Sequence, residues 1–61
     1  MLKYLGEIDC IEDLIDMVGE DAGNKAWHGK LNYFKDISSG NIFGVSDFQA
    51  DYIFENEEEV V

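Results

Sequence analysis

The chain lacks the cross-links that usually stabilise a protein of its size, and this constrains its fold more than any other feature. It has 61 residues, a length at which folding buries only about 60% of the surface of the unfolded chain. Cys10 is the single cysteine, so no intrachain disulfide can form, and Cys10 with His28 cannot supply the ligands of a zinc site. Aromatic residues make up 13% of the chain. We therefore predict one compact domain over residues 1–61, stabilised by aromatic packing or by oligomerisation.

Acidic side chains dominate the charge. Fourteen Asp and Glu stand against four Lys and no Arg, which gives a formal net charge of -10 at pH 7. Such a chain repels phosphate backbones and anionic membranes, because nucleic-acid binding depends on Lys and Arg that displace counterions. The apolar content of 46% is too high for a disordered acidic chain. We therefore expect a folded protein that binds neither nucleic acid nor membranes directly.

Residues 10–18 show the apolar period of an amphipathic helix. The apolar side chains recur at i, i+3, i+4 and i+7 and therefore share one helix face: Ile11, Leu14, Ile15 and Val18. Asp9 can cap the first turn, with Glu12 reaching back from the third helical position, and Gly19 stands where a terminating glycine belongs. This is the one helix that we predict as a full element.

Loop and sheet are predicted on either side of this helix. Residues 1–8 form a possible edge strand. Residues 19–30 contain three glycines and predict a loop, with one optional helical turn at 24–27. Residues 31–37 and 41–46 are rich in aromatic and branched side chains and flank the sequence Ser-Ser-Gly, which predicts a hairpin whose turn ends in a glycine bulge.

Residues 48–54 fit two structures. Their apolar and polar side chains alternate, which favours a strand. In a helix, Ser46 and Gln49 would form a capping box and Phe48 would face Tyr52 at i+4. The strand is the favoured interpretation and the helix is the alternative. Residues 55–61 are a charge run that we expect to fray. The predicted fold is α+β, with one short amphipathic helix packed on a small antiparallel sheet made of a hairpin, a third strand and a possible N-terminal edge strand.

No motif predicts catalysis, a cofactor or a metal site. Residues 23–30 have five residues between two glycines where a phosphate-binding loop needs four, and Leu31 replaces its Ser or Thr. Neither His28 nor Cys10 has a recognisable third group to orient a base and nucleophile. The helical carboxylates lack the alternating spacing of a calcium loop. We therefore predict no enzyme, with no catalytic residue, cofactor or metal ligand.

The carboxylates of the helix and of the C-terminal end are the candidate contacts to a protein partner with a basic surface. Residues four apart on a helix lie about 6 Å apart along its axis, close to the spacing of successive phosphates on one nucleic-acid strand, on the order of 6 to 7 Å. Such a row can occupy a groove built for nucleic acid, although a charged helix face is often only solvated. The predicted partner-binding residues are Asp9, Glu12, Asp13, Asp16, Glu20, Glu55, Glu57, Glu58 and Glu59.

The aromatic residues of the predicted sheet exceed what one helix covers. Neighbouring strand residues point to opposite faces, so Tyr33 and Phe34 cannot both meet the helix. The second face is expected either to be covered by the 19–30 loop or to pair with a second copy of the chain in a homodimer. The predicted dimer-interface residues are Tyr33, Phe34, Phe43, Phe48, Tyr52 and Phe54.

In size and charge the chain is similar to the small acidic inhibitors that phages use against host defence enzymes, several of which mimic nucleic acid. The similarity is one of composition alone. It implies an inhibitor that blocks a basic surface on a nucleic-acid-processing or defence enzyme. The alternative is a small homo-oligomeric interaction or assembly module that acts through an aromatic sheet face. Because no apolar stretch approaches the ~20 residues of a bilayer span, we expect a soluble, cytoplasmic protein, in the host cytoplasm if a phage encodes it.

Overall fold

Three segments rich in aromatic and branched residues form an antiparallel sheet in the computed structural model, which describes residues 1–56. The strands are β1 (Leu2–Ile8), β2 (Leu31–Asp36) and β3 (Ile42–Val45), in the spatial order β1-β2-β3. The central strand is therefore β2, and β1 lies at one edge. The α+β class, the N-terminal edge strand and the β2–β3 hairpin are confirmed.

The hairpin turn has the predicted glycine geometry. The Asp36 backbone N–H donates to the Asn41 carbonyl at 2.8 Å, and the Gly40 N–H donates to the Asp36 carbonyl at 2.7 Å. Gly40 has a φ of 80°, which a residue with a side chain adopts only at a cost. The turn therefore fixes the register that pairs Phe34 with Phe43.

A bulge in β1 changes which face its side chains occupy. Tyr4 pairs with Phe34, but Gly6 pairs with Tyr33, so Leu5 is an extra residue between them. Side chains at positions of equal parity normally share a sheet face. Because of the extra residue, Tyr4 packs on one face of the sheet while Ile8 packs on the other.

The predicted amphipathic helix is α1 (Ile11–Val18). Leu14 is fully buried, and the other members of its apolar stripe are half-buried. The predicted cap is wrong: Cys10 is the N-cap residue, in extended conformation, and no side chain bonds the exposed amides. Asp9 lies one residue too early to do so. Gly19, with a φ of 96°, ends the helix as expected, and its N–H donates to the Ile15 carbonyl at 2.8 Å.

The predicted loop at 19–30 contains a second helix, α2 (Glu20–Ala26). This corrects the sequence prediction of one short helix. Gly23 is buried inside α2, where an added Cβ would lie 2.7 Å from the Cγ1 atom of Ile15. Its role is to let α1 and α2 approach closely, so it does not mark a loop.

The predicted third strand is wrong, because residues Asp47–Asn56 form a helix, α3. The alternative interpretation, a helix, is confirmed. The Gln49 N–H donates to the Ser46 hydroxyl at 3.3 Å, as in a capping box, and the Ala50 N–H donates to the Ser46 carbonyl at 2.9 Å, which is the first backbone hydrogen bond of the helix. The helix continues into the start of the tail that was predicted to fray, through Asn56. Residues 57–61 of that tail lie outside the described residues.

The helices cover both faces of the sheet. On one face, α1 and α2 pack over a cluster whose buried residues include Tyr33, Leu14 and Ile8. On the other, α3 places Ala50 and Ile53 against Phe34. As predicted from strand alternation, Tyr33 and Phe34 face opposite ways, but helices provide the cover on both sides. None of the helices within residues 1–56 is long and apolar enough to cross a membrane.

Candidate functional site

The most strongly charged part of the structure is the pair of helices on the Tyr33 face. Six carboxylate side chains lie at positions 9–21, and all of them are exposed. This segment contains no lysine, and the next lysine along the chain is Lys25. We call this set the acidic surface: Asp9, Glu12, Asp13, Asp16, Glu20 and Asp21. The sequence does not identify Asp21 as part of this set, because residues 19–30 predict a loop. Asp21 lies instead on α2, a helix that depends on the close contact of Gly23 with Ile15.

The acidic surface is a patch and not a continuous row. The sequence spacing of one helix face relates four of these residues: Asp9, Asp13, Asp16 and Glu20. However, Asp9 precedes α1, and Gly19 separates α1 from α2, which begins at Glu20. Glu12 and Asp16 alone keep the i, i+4 spacing of about 6 Å along one axis. The phosphate-like spacing therefore applies to one pair of carboxylates within α1, and the rest contribute charge.

Four of these carboxylates also stabilise the helices that present them. Glu12 and Asp13 lie in the first turn of α1, and Glu20 and Asp21 lie in the first turn of α2. Negative charge at a helix N-terminus is favoured by the helix dipole, typically by about 0.3–1 kcal/mol. Asp9 and Asp16 lie outside these first turns, so stabilisation of the helix N-termini does not account for these two charges.

The acidic residues of α3 are not part of this patch. Glu55 is an exposed residue of α3, on the opposite face of the sheet from α1. Asp47 and Asp51 are exposed on the same helix. The remaining predicted contacts, Glu57, Glu58 and Glu59, lie outside the described residues. Within residues 1–56, acidic side chains are therefore exposed on both sides of the sheet.

The six predicted dimer-interface aromatics are divided between core and surface. Tyr33 and Phe34 are 0% exposed, so they cannot contact a second copy of this fold. Phe43 is half-buried and stacks on Phe34, with ring centroids 5.7 Å apart. The other three lie on α3, the helix that covers the face expected to be free: Phe48 is 84% exposed, Tyr52 57% and Phe54 44%.

A short polar network holds the start of α3 against the sheet. The Tyr4 hydroxyl donates to Asn32 Oδ1 at 2.8 Å, and Asn32 Nδ2 donates to Asp47 Oδ1 at 2.6 Å. Asn32 is buried in the central strand, so its amide needs both partners to offset its desolvation. At the other end of α3, the Phe54 ring meets Tyr4 edge-on with centroids 5.0 Å apart. These contacts fix which side of α3 faces solvent.

Cys10 and His28 have local roles. The backbone N–H of Asp13 lowers the pKa of the Cys10 thiol, but desolvation together with the side chain of Asp13 and the charge of Glu12 outweighs it, so this pKa is raised above its ordinary value. A thiol that stays protonated is a weak nucleophile. His28 is exposed, and its Nδ1 lies 2.7 Å from the Ala26 carbonyl oxygen. Within residues 1–56, no group of three or more His, Cys, Asp and Glu is arranged to hold a metal ion.

Comparison with known proteins gives no match: no family model, no curated protein and no solved structure is similar to this chain.

Proposed function

We propose that this chain is a small acidic binding protein, an inhibitor that blocks a basic surface on a nucleic-acid-processing or defence enzyme. The observation that supports this most directly is the acidic surface, with six exposed carboxylates in residues 9–21 and no lysine among them. The proposal includes a cytoplasmic site of action, in the host cell if a phage encodes the chain. Inhibition would be steric and electrostatic, as in a protein that mimics DNA.

The charge distribution favours this kind of contact. An ion pair in the chain, between Lys30 Nζ and Glu7 Oε1 at 3.9 Å, lies at exposed positions outside the acidic surface. The six carboxylates of the patch are exposed, so cations of a partner can reach them. A net charge of -10 would also steer the chain toward a basic groove and raise the association rate at low salt.

Salt-resolved capture tests the proposal. The tagged chain is incubated with a cell extract at low salt, and the retained proteins are challenged with duplex DNA. We expect a nucleic-acid-binding enzyme that is released by DNA or by raised salt, since both compete for its basic surface. Capture that resists both would contradict an electrostatic contact.

A matched pair of variants locates the contact. Glu12→Gln/Asp16→Asn removes two charges from the acidic surface, and Glu7→Gln/Asp36→Asn removes two charges elsewhere. Glu12, Asp16 and Glu7 are exposed. Asp36 is half-buried, and asparagine at this position keeps the oxygen that accepts from the Ser38 N–H. We expect the first variant to lose more of the captured enzyme than the second. Equal losses would show that net charge alone, without a defined surface, determines binding.

A homo-oligomeric interaction module is the second candidate, and the exposed aromatics of α3 favour it. Phe48, Tyr52 and Phe54 expose large rings on one helix, and such a patch often marks a contact. The proposed homodimer would use this helix, because Tyr33 and Phe34 are enclosed by the fold. Light scattering across a concentration series tests it, and a mass near 7 kDa at all concentrations, consistent with the 6.9 kDa chain, would contradict it.

A further inference from the structure

The outward side of α3 combines exposed aromatic rings with carboxylates. Four exposed residues of this helix follow one another at i, i+3, i+4 and i+7, so they share one helix face. We call this face the α3 outer face: Phe48, Asp51, Tyr52 and Glu55. The helix contains no lysine or arginine, so the local charge is wholly negative.

The opposite side of α3 is packed on the sheet, which holds the α3 outer face toward solvent. Ala50 and Ile53 are buried against the sheet, and Asn32 holds Asp47 at the first turn. Phe48 nevertheless remains 84% exposed, with Tyr52 one helical turn away. Among residues 1–56, no ring is stacked on either of these two. A fixed, uncovered aromatic pair is the kind of feature that dominates protein interfaces.

We propose that the α3 outer face binds an arginine-bearing segment of a protein partner. A guanidinium group stacks on an aromatic ring while it donates hydrogen bonds to a carboxylate in the same plane, which a lysine ammonium does not do. Asp51 and Glu55 flank Tyr52 at i-1 and i+3 and can supply that carboxylate. The inference rests on the proposed function for a basic partner, but it assigns the contact to a different surface and to one type of cation.

Charge complementarity selects this occupant over a second copy of the chain. In a symmetric contact through the α3 outer face, Asp51 and Glu55 of both copies would be brought together with no cation on either helix. Like charges in close contact oppose such an interface. An arginine-bearing segment neutralises the same carboxylates and covers the same rings.

The test is an NMR titration of the full chain with two synthetic peptides of equal charge, one with arginines spaced four apart in an alanine helix and one with lysines in their place. We expect the arginine peptide to shift the signals of residues 47–55 and to bind about two- to fivefold more tightly than the lysine peptide, the difference that cation–π and planar pairing provide at an exposed site. Phe48→Ala/Tyr52→Ala should abolish this preference.

Met17→Ala is the matched control, because Met17 is 57% exposed, as Tyr52 is, but lies on α1. It should keep the preference for arginine, and thermal melts should show that both variants are folded. Equal affinity for the two peptides, with shifts confined to residues 9–21, would overturn the inference and leave the proposed function standing. Shifts at 47–55 that appear on raising the chain concentration alone, before peptide is added, would overturn it in favour of a homodimer.

Discussion

Gly23→Ala tests the closeness of the two helices that present the acidic surface. In α2 a Cβ at position 23 would lie 2.7 Å from Ile15 Cγ1 and 3.0 Å from Ile15 Cα. The Cγ1 atom can move by a rotamer change, but the Cα atom is backbone and cannot move without shifting α1. Overpacking of this kind costs about 1–3 kcal/mol, whereas alanine in a helix interior is about 1 kcal/mol more favourable than glycine. We therefore expect a net destabilisation of about 1 kcal/mol.

In a domain of this size, that loss lowers the Tm by about 4–8 °C, which a circular dichroism melt resolves. Asn24→Ala is the matched control, because Asn24 is exposed on the same helix and gains helix propensity without a new contact. In an Ile15→Ala background, Gly23→Ala should cost less, since Cγ1 is gone. If Gly23→Ala instead raises the Tm as Asn24→Ala does, the helices do not approach as closely as described.

Three further outcomes are expected. Leu14→Ala should cost roughly 2–4 kcal/mol in chemical unfolding, because it leaves a cavity in the cluster beneath α1; an unchanged midpoint would show that the stripe is not buried. Alkylation of Cys10 by iodoacetamide should reach its half-maximal rate at a higher pH than in a cysteine peptide, because desolvation and the neighbouring Asp13 and Glu12 raise its thiol pKa; a coincident profile would show that this pKa is not raised. The Tm should rise with sodium chloride as repulsion within the acidic surface is screened, and it should rise less in Glu12→Gln/Asp16→Asn; equal slopes would show that these charges do not repel in the folded state.

The elements that the sequence predicts correctly are those in which no second local pattern competes with the first. The stripe around Leu14 has a helical period and ends at Gly19, and the hairpin has a glycine at the turn position that needs it. Residues 19–30 mislead because glycine normally interrupts helices. Gly23 is tolerated in α2 because the absence of a side chain permits the contact with Ile15, which depends on tertiary packing.

The last helix is difficult to predict for a different reason. In residues 48–54 the largest rings alternate with polar residues, as in a strand, but the structure buries Ala50 and Ile53 and exposes Phe48. A prediction that large apolar residues face the core therefore selects the wrong period. The capping signal at Ser46 is the local feature that identifies the helix.

The candidate site is predictable in its residues but not in its arrangement. Carboxylates such as Asp13 and Asp16 are exposed in almost any fold, so composition identifies them. Whether they share a surface with Glu55 depends on which face of the sheet each helix covers, and the structure separates them. The exposed aromatic pair on α3 follows only once Ala50 and Ile53 are known to be the buried residues of that helix.

Binding through the acidic surface is tested by the salt dependence of affinity for the enzyme captured at low salt, measured by interferometry with the parent chain and with the two charge-matched variants. We predict that the dissociation constant of the parent rises steeply between about 50 and 200 mM salt, mainly through a slower association rate. Glu12→Gln/Asp16→Asn should flatten this dependence more than Glu7→Gln/Asp36→Asn. A dissociation constant that is the same at both salt concentrations, and that neither variant changes, would contradict a function based on the acidic surface.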